Sequence, residues 1–228
     1  MPEFFLNSNQ WARLGEGTAV TLQLLGWAML LGSVMSLVMG VARLSRFRLV
    51  RALALVYVEI ARGLSAIILL FIMFFAVPIL FDVRGLSPMV AGVLALGLNM
   101  GAYGAEIVRG AIRAVPKGQA EATVSLNMTA YQRLRYVVLP QALTVILPPF
   151  GNLSIEILKG TALVSLITLS ELAFEVQKLR VNRVVIEDSA TTIALYLNAL
   201  IIYFVIAQVL ARLFRFAERQ VETRLGSV

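Results

Sequence analysis

Residues 18–42 read TAVTLQLLGWAMLLGSVMSLVMGVA, and no residue in this stretch is charged. A helix needs about 20 mainly apolar residues to cross a bilayer, because each residue adds roughly 1.5 Å against a hydrocarbon core of about 30 Å. The stretch is long enough to span, and it predicts a transmembrane helix. The chain is therefore read first as a membrane protein, in which every other segment must be placed inside or outside the bilayer.

The composition of the whole chain agrees with this interpretation. Of its 228 residues, 59% are hydrophobic and only 14% are charged, whereas soluble domains keep about 25% of their residues charged. The chain has no Cys and no His, which excludes disulfides, zinc sites of the Cys/His type and mechanisms that need a histidine base. Net charge is +7, which in a soluble protein would suggest nucleic acid and in a membrane protein first suggests cytoplasmic loops.

Apolar stretches of sufficient length recur along the chain and predict an all-α, polytopic protein with about five transmembrane helices in a single domain, 1–228. The second stretch is longer than a bilayer needs and contains Glu59, Arg62 and the step Gly63-Leu64-Ser65, so a break near Gly63 or a steep tilt is expected. The predicted spans are 18–42, 52–81, 88–108, 137–158 and 191–213.

Basic residues are concentrated in three alternate connections between these spans. Because positively charged loops stay on the cytoplasmic side, the pattern predicts an N-terminus outside and a C-terminus inside the cell, with no nucleic-acid surface. No signal peptide is evident in Met1 to Gly17. The basic residues are Arg43, Arg46, Arg48 and Arg51; Arg109, Arg113, Lys117, Arg133 and Arg135; and Arg212, Arg215, Arg219 and Arg224.

Small residues recur every four positions in the first and third predicted spans. They are Ala28, Gly32, Ser36 and Gly40, and Gly97, Gly101 and Ala105. Side chains of this size let helix backbones approach closely in lipid. Close packing within the chain is favoured over a dedicated dimerisation face.

Residues 115–136 form the main polar stretch between spans. Pro116 suits a first helical turn, residues 118–126 predict a short helix, and Asn127 suits a left-handed C-cap. Thr129 with Gln132 predicts a capping box that begins a second short helix through residue 136, before the fourth span. Two interpretations remain open, a compact knob that projects into the cytosol or an amphipathic hairpin that lies on the headgroups.

Polar residues inside the predicted spans are expensive and mark functional sites. Asn99, Tyr103 and Glu106 follow spacings that place them near one face of the third helix, and Asn152, Glu156 and Lys159 do the same on the fourth. Structural ion pairs, Glu156 with Lys159 and Glu59 with Arg62, are the alternative interpretation.

Many short motifs resemble, in order, the permease subunits of bacterial ATP-binding cassette importers, in the branch for polar amino acids and related solutes. The matching pieces cover nearly the whole chain and include Thr21-Leu22-Gln23, Ala42 to Ser45, Tyr57 to Glu59, Arg62-Gly63, Ala102-Tyr103, Arg109-Gly110, Val115 to Gln119, Glu121-Ala122, Leu126, Leu139 to Ala142, Pro148-Pro149, Gly151-Asn152 and Leu163 to Ser165.

This resemblance implies a type I importer permease fold in the bacterial inner membrane. In such proteins the cytoplasmic loop docks into a separate ATPase subunit, which implies coupling roles for Glu121, Ala122, Leu126 and Asn127. It further implies a second permease, identical or homologous, and an extracytoplasmic solute-binding protein.

A solute pocket near mid-membrane, between the third and fourth helices, is also implied by the resemblance. Its candidate residues are Asn99, Tyr103, Glu156, Lys159 and Ser165, and a carboxylate with amides suits a ligand bearing a cationic nitrogen. The solute stays open among amino acids, opines and compatible solutes such as ectoines.

Other functions fit the sequence less well. The chain has no phosphate-binding loop of the type G-x-x-x-x-G-K-[ST], so it is predicted to be no enzyme, with no cofactor of its own and with ATP bound by the partner subunit. An ion-coupled secondary carrier would usually show paired repeats. A non-transporting scaffold leaves the intramembrane Glu residues and the polar hairpin without a role.

Overall fold

The computed structural model describes residues 6–82, 85–181 and 189–225, and the regular elements within these ranges are all helical. The helices are α1 Ser8–Ala42, α2 Arg48–Gly63, α3 Ala66–Leu80, α4 Pro88–Ala114, α5 Lys117–Ser125, α6 Ala130–Ile167, α7 Leu172–Val181 and α8 Ser189–Leu225. Both α3 and α6 contain a π-helical turn, Ile72–Ala76 and Leu134–Val138, and α6 ends in a 3-10 segment, Ala162–Ile167. The predicted all-α fold is confirmed.

Four of the described helices, α1, α4, α6 and α8, are each long and apolar enough to cross a membrane. A fifth crossing requires α2 and α3 to count together, and these two helices meet at an angle of 108°. The predicted break near Gly63 is confirmed: the stretch predicted as the second span, 52–81, is divided there between α2 and α3. Leu64 and Ser65 adopt extended backbone angles between the two helices, and hydropathy alone does not register such a turn because both sides are apolar.

The spanning helices also extend beyond the predicted boundaries of 18–42, 88–108, 137–158 and 191–213. Helix α1 begins at Ser8, where Asn7 and Gln10 form a reciprocal capping box. Helix α6 continues to Ile167, and α8 continues to Leu225. Hydropathy marks the part of a helix that lies in lipid, whereas caps and polar outer turns decide where the helix ends.

Helices α1 and α4 pack closely along their stripes of small residues. A Cβ added to Gly32 would lie 2.7 Å from the Met100 side chain, and one added to Gly104 would lie 2.0 Å from the Ser36 Oγ. The seven small residues of the two stripes are all buried. The stripes therefore serve close packing within the chain, as predicted.

The structure of the polar hairpin agrees with the sequence prediction in part. Helix α5 ends before Asn127, which has a left-handed φ of 54°, and Thr129 and Gln132 form the expected capping box. However, no separate second helix ends at residue 136, because the helix that begins at Ala130 continues through a π-helical turn into the membrane span. Pro140 lacks an N–H donor, and it lies two residues beyond Val138, the end of the turn where helical hydrogen bonding is already irregular.

Candidate functional site

Helix α5 stands between two spans with its outer surface uncovered. Glu121 and Ala122 are exposed, and the apolar side chains of Val124 and Leu126 are 59% and 71% exposed. Backbone hydrogen bonds from Asn127 N to Val124 O and from Met128 N to Thr123 O, at 2.9 and 3.0 Å, fix the turn that follows. Exposed apolar side chains that lie together on a short helix are typical of a surface that binds another protein.

The fourth span, α6, has one uncovered polar face. Asn152, Glu156 and Lys159 are all exposed, whereas Ser154 and Ile157 on the opposite side are buried. Within the described ranges neither Glu156 nor Lys159 forms an ion pair with any residue. The alternative of a structural Glu156–Lys159 pair is therefore wrong for this structure, and two opposite charges remain available on one face.

Lys159 also lines a cavity between α6 and α8. The cavity has a volume of about 350 Å³, and its walls include Leu158, Tyr203 and Phe204. The ammonium-bearing side chain is therefore placed where the polar face of α6 meets an apolar recess.

Asn99 and Tyr103 lie at the break between α2 and α3. The Asn99 Nδ2 donates to the Ala61 carbonyl oxygen at 3.1 Å, so the amide supplies a donor near the end of α2, where carbonyls lose their helical partners. The Arg62 guanidinium lies over the Tyr103 ring, with Cζ 5.3 Å from the ring centroid. Since Arg62 contacts Tyr103 and forms no ion pair with Glu59 in the described structure, the alternative of a Glu59–Arg62 pair is wrong.

Ser165 belongs to the 3-10 segment at the end of α6, where its Oγ donates to the Ala162 carbonyl oxygen at 2.7 Å. No hydrogen bond or ion pair of the described residues joins Ser165, Glu156 or Lys159 to Asn99 or Tyr103. The predicted site residues thus form two groups, one at the α2–α3 break and one along α6. Their joint role as a solute site remains a prediction.

Glu106 lies on the same helix as Asn99 and Tyr103, but its side chain is not a free polar group. Its carboxylate lies between two guanidinium groups, with Arg43 Nη1 at 2.5 Å and Arg109 Nη2 at 2.6 Å. Arg43 comes directly after α1, so this triad ties the ends of α1 and α4 together. The spacing of Glu106 and Arg109 could have indicated the local pair, but Arg43 is distant in sequence.

Glu171 is a buried acid that the sequence analysis missed. Its carboxylate accepts hydrogen bonds from the Ala173 and Phe174 backbone N–H groups and from the Tyr203 hydroxyl, at 2.8 to 2.9 Å. Burial raises the pKa of Glu171, and these hydrogen bonds offset part of the rise. A polar residue directly before the apolar start of α7 is a capping signal that could have identified it.

Thr21 completes this network on α1. Its Oγ1 lies 3.5 Å from the Glu171 carboxylate and accepts the Leu172 N–H at 3.1 Å. Because Tyr203 belongs to α8, the buried acid connects α1, α7 and α8. Near the same end of α1, Arg13 and Lys178 both pair with Glu175.

Fold and site together define a multi-pass helical membrane protein that has a polar face within one span and a short helix with exposed apolar side chains between two spans. These features are typical of the subunits of membrane transport systems. Residues 9–223 match the sequence profile of the binding-protein-dependent transport system inner membrane component family, and the chain belongs to this family.

Individual relatives agree with the family assignment. A probable amino-acid ABC transporter permease protein, y4tF, of Sinorhizobium fredii is 47% identical over 91% of this chain and 87% of its own length. The L-cystine transport system permease protein TcyB of Bacillus subtilis is 33% identical over 97% of this chain and 92% of its own length. A crystal structure of an amino acid ABC transporter with histidines superimposes with a TM-score of 0.79 at 32% identity, covering 92% of this chain and 94% of that one.

The chain is therefore a permease subunit of an ABC transport system, with the type I importer permease fold that its motifs indicate. These comparisons favour the permease over the ion-coupled carrier and the scaffold. It is a multi-pass inner membrane protein.

Proposed function

We propose that the chain forms one half of the pathway by which an importer moves a polar amino acid or a related zwitterionic solute across the inner membrane. Its partners would be a separate ATPase subunit, a second permease and an extracytoplasmic solute-binding protein. The family and the amino-acid transport described for its relatives support this function. The three basic connections support an N-terminus outside and a C-terminus in the cytoplasm.

The observation that best supports coupling to an ATPase is the uncovered surface of α5. The exposed residues of this surface include Glu121, Ala122, Leu126 and Asn127. A docked subunit would bury the apolar side chains among them. Because α5 is followed by a fixed turn and then by the long helix α6, a push on α5 would move the α6 span as a connected unit. ATP would be bound and hydrolysed by the docked subunit, and this chain would need no nucleotide of its own.

The polar face of α6 supports the presence of a second permease. A charged side chain at the centre of a bilayer costs about 2.5–3.5 kcal/mol on insertion scales, so Glu156 and Lys159 are poorly placed against lipid. A second permease, identical or homologous, would cover this face and enclose a polar pathway. The proposal thus assigns the uncovered side of α6 to the centre of a permease pair.

The same face supports a zwitterionic solute. Glu156 and Lys159 are opposite charges without ion-pair partners in the described structure, and they suit the ammonium and carboxylate groups of an amino acid. Ser165 would add a hydroxyl beyond them, and Tyr103 would approach from α4. Asn99 would act by holding the α2 end, since its amide already bonds to Ala61.

The coupling role is tested by replacing Glu121 with Arg in the assembled transporter and measuring solute-stimulated ATP hydrolysis in proteoliposomes. Reversing a charge at a docking surface costs about 1.4 kcal/mol or more, so stimulation should fall roughly tenfold. Glu222→Arg is the matched control, because Glu222 is also exposed but lies near the end of α8. Normal stimulation in the Glu121 variant, with normal subunit association, would refute the docking site.

A further inference from the structure

A cavity of about 320 Å³ lies where the connection between α1 and α2 meets the last turns of α4. Ala52 and Leu55 form its apolar wall, and all its other lining residues are arginines. These are Arg43, Arg48, Arg51, Arg109 and Arg113. We call this the arginine cavity.

The charge inside the arginine cavity is only partly balanced. Glu106 pairs with Arg43 and Arg109, whereas Arg48, Arg51 and Arg113 form no ion pair with any residue of the described ranges. The five guanidinium groups converge from three helix ends, and three of them therefore have no carboxylate paired with them in the described ranges. Guanidinium groups bind phosphate with two parallel hydrogen bonds, so the cavity is suited to a phosphate ester.

The surroundings of the cavity indicate the rest of the ligand. On α2, next to the lining residues, Leu49, Leu53 and Val56 are 72%, 63% and 53% exposed. Phe47, which precedes α2, is 60% exposed. A free phosphate compound would make no apolar contact with this surface, whereas the acyl chains of a lipid would pack along it.

We propose that the arginine cavity binds the phosphate of an anionic phospholipid, with the acyl chains packed on the exposed apolar side chains of α2. Basic cavities at the membrane boundary of helical proteins are suited to such headgroups. The phosphate of the bound lipid would offset part of the excess charge and would join α2 to the ends of α1 and α4. General attraction of basic residues to an anionic membrane surface differs from this site, because it needs no cavity and no particular arginines.

The test uses the full chain purified from membranes in a mild detergent, with bound lipid counted by native mass spectrometry. Phosphatidylglycerol is compared with phosphatidylcholine of the same acyl chains and with glycerol 3-phosphate, which has the phosphate but no acyl chain. The variant replaces Arg48, Arg51 and Arg113 with Gln. A control variant replaces Arg212, Arg215 and Arg219 of α8 with Gln, which removes the same charge from exposed positions elsewhere.

The wild type should bind phosphatidylglycerol in preference to phosphatidylcholine. Each arginine near a phosphate changes affinity roughly fivefold, so the cavity variant should bind phosphatidylglycerol on the order of 100-fold more weakly. The control variant should retain binding. If the triple variant is not recovered in folded form, Arg51→Gln alone is expected to give the fivefold loss.

Three results would overturn the proposal. Equal losses in the cavity and control variants would mean that only general surface charge attracts the lipid. Equal binding of the two phospholipids would exclude headgroup recognition. Displacement of phosphatidylglycerol by glycerol 3-phosphate at equal concentration would show that the cavity takes free phosphate esters.

Discussion

Gly104 is the position where helices α1 and α4 leave the least room, and Gly104→Ala tests that packing. A Cβ at this position would lie 2.0 Å from the Ser36 Oγ and 2.9 Å from the Phe150 Cζ. The hydroxyl has little freedom to move away, because it donates to the Gly32 carbonyl oxygen at 2.6 Å. Extra carbon atoms in a well-packed interior usually cost about 1–3 kcal/mol, so the variant should unfold at a temperature lower by roughly 2–12 °C for a chain of this size.

Gly110→Ala is the matched control on the same helix. A Cβ at Gly110 would have nothing within 4 Å, and alanine favours a helix over glycine by about 1 kcal/mol. The two substitutions should therefore shift the melting temperature in opposite directions. The measurement is thermal unfolding of the detergent-solubilised protein. The readout at each temperature is the fraction of protein that remains monodisperse on size-exclusion chromatography.

A double variant identifies the clash itself. Ser36→Gly removes both side-chain atoms nearest to the added Cβ, so Gly104→Ala should be less harmful in that background than in the wild type. The difference should be about 1 kcal/mol or more, as is common for residues in direct contact. Equal destabilisation by Gly104→Ala in both backgrounds, or equal effects at positions 104 and 110, would refute the close approach of the two helices.

Three further outcomes are expected. Glu156→Gln should lower uptake of a zwitterionic amino acid into proteoliposomes roughly 10- to 150-fold, since a hydrogen bond to a charged group is worth roughly 1.5–3 kcal/mol. Unchanged uptake would remove Glu156 from the solute site. Arg43→Gln should lower the free energy of unfolding by only about 1 kcal/mol, because Glu106 keeps its ion pair with Arg109. In a Glu106→Gln background, Arg43→Gln should no longer change the free energy of unfolding. The raised pKa of Glu171 means that its contribution to stability is complete below the unfolded pKa and is lost as pH rises through the folded pKa. Glu171→Gln should therefore flatten the fall in melting temperature as pH rises above the ordinary range of a carboxyl pKa, and an equal slope in both proteins would contradict this.

Local signals in the sequence were sufficient where neighbouring residues make the structure. The capping box of Thr129 and Gln132 and the left-handed Asn127 were predicted correctly because each depends on a few adjacent residues. The end of the second short helix at residue 136 was predicted wrongly, because a π-helical turn, Leu134–Val138, carries the helix on into the membrane span. Such a turn depends on how the whole helix packs.

The candidate site was predicted less completely. The sequence placed Glu156 and Lys159 on one face of a span, but their missing ion pair and their exposure are facts of the fold. Asn99 was a candidate for the solute site, yet its amide bonds to Ala61 on a helix that lies well before it in the chain. Contacts between residues far apart in sequence have no signature in local spacing.

The pattern of apolar residues is sufficient to establish that the chain is an all-α membrane protein. Apolar stretches of bilayer length force helices, because backbone groups in lipid must form their hydrogen bonds within the helix. The pairing of charges depends on how the helices pack, since Arg43, Glu106 and Arg109 meet across two helices and Glu171 is enclosed by residues of three helices. Hydropathy depends on residues that are adjacent in the chain, so it can be read from the sequence. The neighbours of each helix in the fold determine its ion pairs, the close packing of its small residues and the exposure of its polar face.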